Sequence, residues 1–382
     1  MMPWKDKTVE ELRIEFVKAA SESDNFSELC REFGITRRTG YKWLERAAAN
    51  ESLADRNKAP VTVANKTPVE IERLILEIRT ANPKWGARTI KTVLENQGYS
   101  DIPCAKTVNN ILSRNGCISP EESLKHMPYK RFEKERCNEM WQTDFKGQFL
   151  MADNSYCFPL DILDDHSRFL IKIKACPDTK NVVISTFEAA FREYGLPWSV
   201  LSDNGAQFAG FRHGYTQFEK WLMNLDILPI HGRALHPQTQ GKIERFHRSL
   251  NDELIKTSIF KDICDADKHL QDWRYKYNNV RPHCALNMKC PAEVYIRSER
   301  EYSDKIKAFE YGGQYPVYKI NNRGYLRFQN FQIYLSETMS GEHIELRENP
   351  PGDSFLLCYR NFIIAEIDTE TGKRLNRTIR RL

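Results

Sequence analysis

The stretch "HPQTQGKIERFHRSL", residues 236–250, carries a single acid among bases. From Asp226 to Asp252 the only acidic residue is Glu244, while Arg233, Lys242, Arg245 and Arg248 bring positive charge and His231, His236 and His247 stand among them. A helix turns about 100° per residue, so Ile243, Phe246, Leu250 and Leu254 gather on one apolar stripe and Glu244 falls beside it, with His247, Arg248 and Asn251 close by. A helix from about Gly241 to Ile255 therefore lays its stripe on a sheet and carries Glu244 at that sheet's margin. Taken alone, Glu244 is equally well explained by a surface pair with Arg248.

The sheet is written upstream. From Met140 the chain alternates apolar and polar residues through "MWQTDFKGQFLM" and "SYCFPLDILDDHSRFLIKIKAC", becomes helical in "NVVISTFEAAFREYG", and returns to a strand in "WSVLSDNG". Hairpin strands followed by a helix and another strand predict an α/β domain with a mixed sheet. Two acids in it stand out. Asp144 interrupts "WQTDF", a strand interior in which Asp is depleted. Asp203 ends the apolar run "VLSDNG", although Asp-Asn-Gly is also ordinary turn chemistry. A helix packed on the sheet would bring Glu244 to both. Three ionised carboxylates crowd together only with compensation, and oxygen-only ligands select Mg²⁺ or Mn²⁺. Two such ions roughly 3.5–4 Å apart activate a water or a 3′-hydroxyl on one side of a phosphate and stabilise the leaving oxygen on the other. The bases near Glu244 then serve as phosphate holders.

The first third of the chain is helical and basic. "TVEELRIEFVKAA" (8–20) has helical spacing with Thr8 as cap, and "SDNFSELCREFGITRRTGYKWLERAA" reads as helix, glycine turn at Gly34, and a second helix capped by Thr36. That layout is a helix-turn-helix, whose second helix offers Arg37, Arg38, Tyr41 and Lys42 to a major groove; the plain alternative is a helical hairpin with a solvated basic face. Residues 67–118 repeat the logic with three helices, and Lys106 and Asn109 lie on the candidate recognition helix. Beyond residue 300, short alternating runs broken by Asn-Arg-Gly, Pro-Pro-Gly-Asp and Thr-Gly predict a small β domain of five or six strands. The organisation expected is 1–50 helix-turn-helix, 51–66 linker, 67–118 second helix-turn-helix-like domain, 119–137 linker, 138–298 catalytic core, and 299–382 C-terminal β domain with a basic tail. The fold class is multidomain: α, then α/β, then β.

Composition mostly excludes. A length of 382 residues suits several domains, and 41% hydrophobic with 29% charged residues is a globular balance. No apolar run approaches the roughly 18 residues of a membrane span, and the start lacks the apolar core of a secretory signal, so a cytoplasmic protein is expected. The net charge of +5 decides nothing. Lys373, Arg374, Arg377, Arg380 and Arg381 make the last ten residues basic, as either a phosphate-binding arm or a solvated tail. Ten cysteines without a C-x-x-C pair are expected to be reduced thiols, mostly in cores.

With "WQTDF", "LSDNGAQF" and "HPQTQGKIERFHRSLNDEL", followed by "YNNVRPHCAL" and "PAEVY", the chain resembles an insertion-sequence transposase with a retroviral-integrase-type core. "CREFGITRRTGYKWLER" and "LADRNKAP" resemble the N-terminus of such bacterial proteins, and the likeness runs over about residues 20–297. It implies a ribonuclease H-like fold with Asp144, Asp203 and Glu244 as an Asp-Asp-Glu metal triad. It implies 3′-end cutting and joining of double-stranded DNA by an assembly of several copies, in a bacterial, nucleoid-associated protein. It also implies that His236, Lys242 and Arg248 help hold DNA, with Arg245 among the same bases. Two departures stand: the stretch from Asp203 to Glu244 is longer than that family's usual spacing, and no paired His/Cys zinc module precedes the core. A catalytically silent DNA-binding protein and a structure-selective nuclease remain competing readings.

Overall fold

The computed structural model describes residues 8–55, 67–118, 133–210, 214–232, 241–349, 352, 354–376 and 379–382. The chain forms two compact units, Met1–Lys66 and Thr67–Leu382. In the first, α1 (Val9–Glu22), α2 (Phe26–Glu32) and α3 (Arg37–Ala48) enclose Phe16, Leu29, Cys30 and Trp43. Each helix starts on a side-chain cap, Thr8, Asn25 and Thr36, whose oxygens accept backbone N–H groups that would otherwise lack partners. Gly34 turns the chain from α2 to α3 at φ +64°, where a glycine carries no steric penalty. Gly40 is the point of closest approach: a Cβ there would lie 2.9 Å from Cys30 Sγ, Phe16 and Phe26.

The second unit opens with α4 (Val69–Ala81), α5 (Ala87–Asn96) and α6 (Ala105–Arg114) around Ile75, Trp85, Ile90, Leu94, Val108 and Ile111. Next come β1 (Trp141–Phe145), β2 (Phe149–Leu150), β3 (Tyr156–Cys157), β4 (Leu160–Asp164), β5 (Leu170–Lys174), α7 (Val183–Tyr194) and β6 (Ser199–Ser202). After them come α8 (Gln217–Asn224), β7 (Leu228–His231), α9 (Gly241–Glu253), α10 (Ile263–Asn279) and α11 (Pro291–Val294). The five-stranded sheet runs β5-β4-β1-β6-β7, antiparallel from β5 to β1 and parallel from β1 to β7, with α7 and α8 as the two crossovers; the edge strand β7 is an element that the sequence reading lacked.

Helices cover both faces. Phe187 and Phe191 of α7 and Phe218 and Leu222 of α8 pack with Trp141 and Ile162 on one side. On the other, Phe246 and Leu250 of α9 and Leu270 and Trp273 of α10 pack with Leu163, Leu170 and Ile173. Strand β4 is buried along its whole length, its aspartates included.

The C-terminal strands are β8 (Val317–Lys319), β9 (Tyr325–Phe328), β10 (Phe331–Tyr334), β11 (His343–Asn349), β12 (Ser354–Tyr359), β13 (Phe362–Asp368), β14 (Arg374–Asn376) and β15 (Arg380–Arg381). They form a six-stranded sheet and a β9–β10 hairpin. Eight strands replace the five or six expected, because tight turns at Gln329 and Arg360, both at positive φ, divide runs that read as continuous. Residues 299–316 contain neither helix nor strand.

This sheet shares its core with the α/β layer. Tyr215 and Met223 sit in the same apolar cluster as Leu346, Leu357, Phe362 and Ile364. The Tyr215 hydroxyl donates to Ile364 O at 2.5 Å, Tyr359 Oη donates to Asn224 Oδ1 at 2.6 Å, and Lys220 pairs with Glu342 at 2.7 Å. Two further expectations are corrected. The basic tail is neither a free arm nor simply solvated, since Arg374 donates to the Tyr215 hydroxyl and Arg381 clasps Asp226 through two 3.0 Å contacts; Arg377 lies outside the described residues. Nor are the cysteines mostly in cores: Cys30, Cys157, Cys176, Cys290 and Cys358 are buried, Cys117 and Cys137 are half-buried, and Cys104, Cys264 and Cys284 are exposed. All ten are free thiols. Among the described residues no helix is long and apolar enough to cross a membrane.

Gly40→Ala tests the packing of the N-terminal unit. Alanine gains up to about 1 kcal/mol of helix propensity, while an extra methyl forced against three side chains costs about 1–3 kcal/mol. Calorimetry of the first thermal transition should therefore show a net loss of stability; a raised Tm would refute the close packing.

Candidate active site and nucleic-acid interface

Asp144 and Asp203 come together because β1 and β6 are adjacent and parallel. The last paired position is Gln142 with Leu201, and each aspartate lies two residues beyond it, Asp144 within β1 and Asp203 just past the end of β6. Both are half-buried. Asp144 Oδ1 accepts from the amide of Phe145 at 2.8 Å, and Asp203 Oδ1 accepts from that of Gly205 at 2.9 Å. On the opposite side, the antiparallel register sets Asp144 against Asp161 of β4.

Helix α9 carries Glu244 and its basic neighbours past this end of the sheet. Ile243, Phe246 and Leu250 are buried, and Glu244, Arg245 and Arg248 are exposed. His247 turns toward the sheet, where its Nε2 lies 2.7 Å from Asp161 Oδ2 and its Nδ1 4.0 Å from Asp144 Oδ2. Asp161 is fully buried, and its Oδ1 has no hydrogen-bond partner. Lys242 also faces inward: Nζ lies 2.5 Å from Asp165 Oδ2, a carboxylate that takes further bonds from the Lys134 amide and Gln142 Nε2. The structure thus sets Lys242 apart from Arg245 and Arg248 on the exposed surface. His236 lies outside the described residues. Among the described residues no three His, Cys, Asp or Glu side chains stand close enough to hold one ion, so Glu244 does not close onto the two aspartates here.

The electrostatics follow from this crowding. Burial pushes the Asp144 carboxyl up to about 7, with Asp161 and Asp203 raising it further and His247 opposing. Burial likewise raises Asp161. For His247, burial favours the neutral ring, but Asp161, the hydrogen bond to it and Asp144 outweigh this and hold the imidazolium above its usual range. Asp161 and Asp165 escaped the sequence reading, and His247 was placed beside Glu244 without its role toward Asp161. Asp161 nevertheless carried a signal, since it breaks the apolar run "PLDIL" as Asp144 breaks "WQTDF".

Elsewhere, Arg37, Arg38, Tyr41 and Lys42 are all exposed on α3 and, with Thr39 and Glu45, line a shallow concavity. Tyr41 leans on Phe26, ring centroids 4.5 Å apart, and the Lys42 ammonium lies 5.3 Å from the Trp43 ring. Lys106 and Asn109 are exposed on α6.

The comparisons with known proteins match these regions. Residues 134–237 and 225–291 match integrase core domain models, and residues 12–60 match a helix-turn-helix domain. The chain therefore carries an integrase core domain with a helix-turn-helix domain ahead of it, and it is similar to proteins of bacterial insertion elements. The chain is 25% identical over 308 residues to the insertion element IS407 uncharacterized 31.7 kDa protein of Burkholderia multivorans, covering 77% of this chain and 99% of that one. It is 25% identical over 177 residues to the insertion element IS476 uncharacterized 39.2 kDa protein of Xanthomonas euvesicatoria, covering 46% and 49%. Among solved structures it is similar to the HTLV-2 integrase catalytic core domain in complex with magnesium, at 16% identity and a TM-score of 0.34 over 43% of this chain and all of that one.

Asp144 makes a pH prediction. Its folded carboxyl keeps a proton to about 7, whereas an unfolded Asp releases it near 3.9. Between those values the folded chain binds more protons, so this residue's contribution falls as pH rises. In EDTA, the Tm of the wild type minus that of Asp144→Asn should decrease from about pH 4 to pH 7 and then level; parallel profiles would refute the assignment.

Proposed function

We propose that the chain is a DNA transposase that binds the terminal inverted repeats of its element, cleaves at the 3′ ends and joins them to target DNA. The observation that carries this is the pair of aspartates at the ends of β1 and β6, backed by the buried Asp161, beneath a helix whose first turns carry Glu244 and exposed arginines. A cluster of carboxylates with raised proton affinity, one of them holding an orphaned buried oxygen, is short of positive charge. An all-oxygen donor set suits Mg²⁺ or Mn²⁺. Asp144, Asp203 and Glu244 would hold two such ions, which supply activation of a water or 3′-hydroxyl and stabilisation of the leaving oxygen.

The remaining steps belong to the side chains. Glu244 swings in from the margin of the sheet as DNA arrives. Arg245 and Arg248 hold the phosphodiester backbone against the carboxylates, His236 adds a DNA contact, and Lys242 supports the helix. Arg37, Arg38, Tyr41 and Lys42 read one part of the repeat in the major groove, and Lys106 and Asn109 another. Because two ends are joined together, the working form is a homo-oligomer on DNA in the bacterial cytoplasm. A silent DNA-binding protein would keep the recognition surfaces without needing the acids.

The test uses element-end duplexes in Mg²⁺. Asp144→Asn, Asp203→Asn and Glu244→Gln should each lower cleavage and joining at least about a hundredfold while leaving DNA affinity in EDTA within about twofold. Normal joining by any of the three would overturn the mechanism. Arg38→Ala should weaken DNA binding and flatten its salt dependence by about 0.9 in log–log slope, with the joining rate at saturating DNA preserved.

A further inference from the structure

Two polar side chains of α9 point away from solvent. Lys242 reaches Asp165 just beyond the end of β4 at 2.5 Å, and His247 reaches Asp161 within β4 at 2.7 Å. Both carboxylates are 0% exposed and belong to the same buried segment, "LDILDD", residues 160–165. Glu244 lies between the two contacts in sequence, two residues after Lys242 and three before His247. The apolar stripe of Ile243, Phe246 and Leu250 is non-directional and tolerates small slides or rotations of the helix. A hydrogen-bonded ion pair does not, because its strength depends on distance and angle. Breaking either contact also strands a buried carboxylate, which is strongly unfavourable.

We propose that Lys242 and His247 are positioning residues that fix α9 on β4 through Asp165 and Asp161, and so set the reach of Glu244 toward Asp144 and Asp203. This rests on Glu244 being the third acid of the triad. It gives Lys242 a role other than the phosphate contact that its place among bases suggests. It also explains why an acid occupies the middle of an apolar strand behind Asp144: Asp161 anchors the imidazole that lies beside both Asp144 and α9.

The experiment compares the whole chain with Lys242→Met, Lys242→Arg, His247→Ala and His247→Gln. Amide hydrogen exchange is followed in residues 241–253, with the C-terminal sheet as the internal reference for global folding. Affinity for duplex DNA of random sequence is measured in EDTA across a salt series. Lys242→Met and His247→Ala should raise exchange in α9 by about tenfold or more while the reference stays protected, as expected for loss of local stability. Lys242→Arg, which retains the charge, and His247→Gln, whose amide replaces Nε2–H, should restore much of that protection. Lys242→Met should leave the log–log salt slope of DNA binding unchanged, whereas Arg245→Ala should reduce it by about 0.9.

In joining assays the maximal rate should fall at least about tenfold in Lys242→Met with the half-saturating DNA concentration unchanged. Unaltered exchange in α9, or a salt slope lowered by Lys242→Met as by Arg245→Ala, overturns the proposal. If the wild type fails to join DNA, the transposase reading falls, while the exchange result still decides whether the two contacts seat the helix.

Discussion

Helix α9 can rest on its sheet only where its inward polar side chains meet buried carboxylates. The apolar stripe supplies attraction without direction, and Lys242 on Asp165 and His247 on Asp161 add two directional contacts to the same buried strand segment. Asp161 is tolerable inside a fully buried strand because His247 satisfies one of its oxygens. Its other oxygen is orphaned, and that unbalanced charge adds to burial in keeping Asp144 protonated to about pH 7. The strand, the helix and the proton affinity of the first aspartate are thus tied to one buried contact.

A second constraint joins the α/β sheet to the C-terminal strands. The stretch between Asp203 and Glu244 holds α8 and Tyr215, and both face the C-terminal sheet. Within that stretch, Tyr215 and α8 build a surface on which the C-terminal strands pack. Arg374 and Arg381 complete the attachment, which removes them from the pool of charges available to DNA. A formal excess of positive charge in a tail therefore says little until its partners are known.

The helical units were the easiest to read. Their caps, Gly34 and the apolar spacing are local properties, and the structure forms helices at Val9–Glu22, Phe26–Glu32 and Arg37–Ala48 accordingly. Four central strands and the crossover α7 were legible from alternation and helical spacing, the edge strand β7 was not, and Asp144 was conspicuous as an acid in a strand. Asp161 carried the same signal, yet its purpose depends on a histidine 86 residues away, a pairing that no local pattern encodes. The strand count of the last domain was misjudged because alternation alone does not show where a turn at positive φ divides a run.

The sequence by itself determined the helices of the first third, the strands and crossover helix that carry Asp144 and Asp203, the isolation of Glu244 and the exposed basic faces of α3 and α6. These depend on residue type and short-range periodicity, which physics imposes before any distant contact forms. Tertiary structure alone decided that Lys242 faces a buried aspartate while Arg245 and Arg248 face solvent, that the basic tail is tied to the core, and that Asp144 shares its charge with Asp161 as well as Asp203. Such outcomes depend on distance and burial between residues far apart in the chain, and side-chain chemistry acquires its role only once those are fixed.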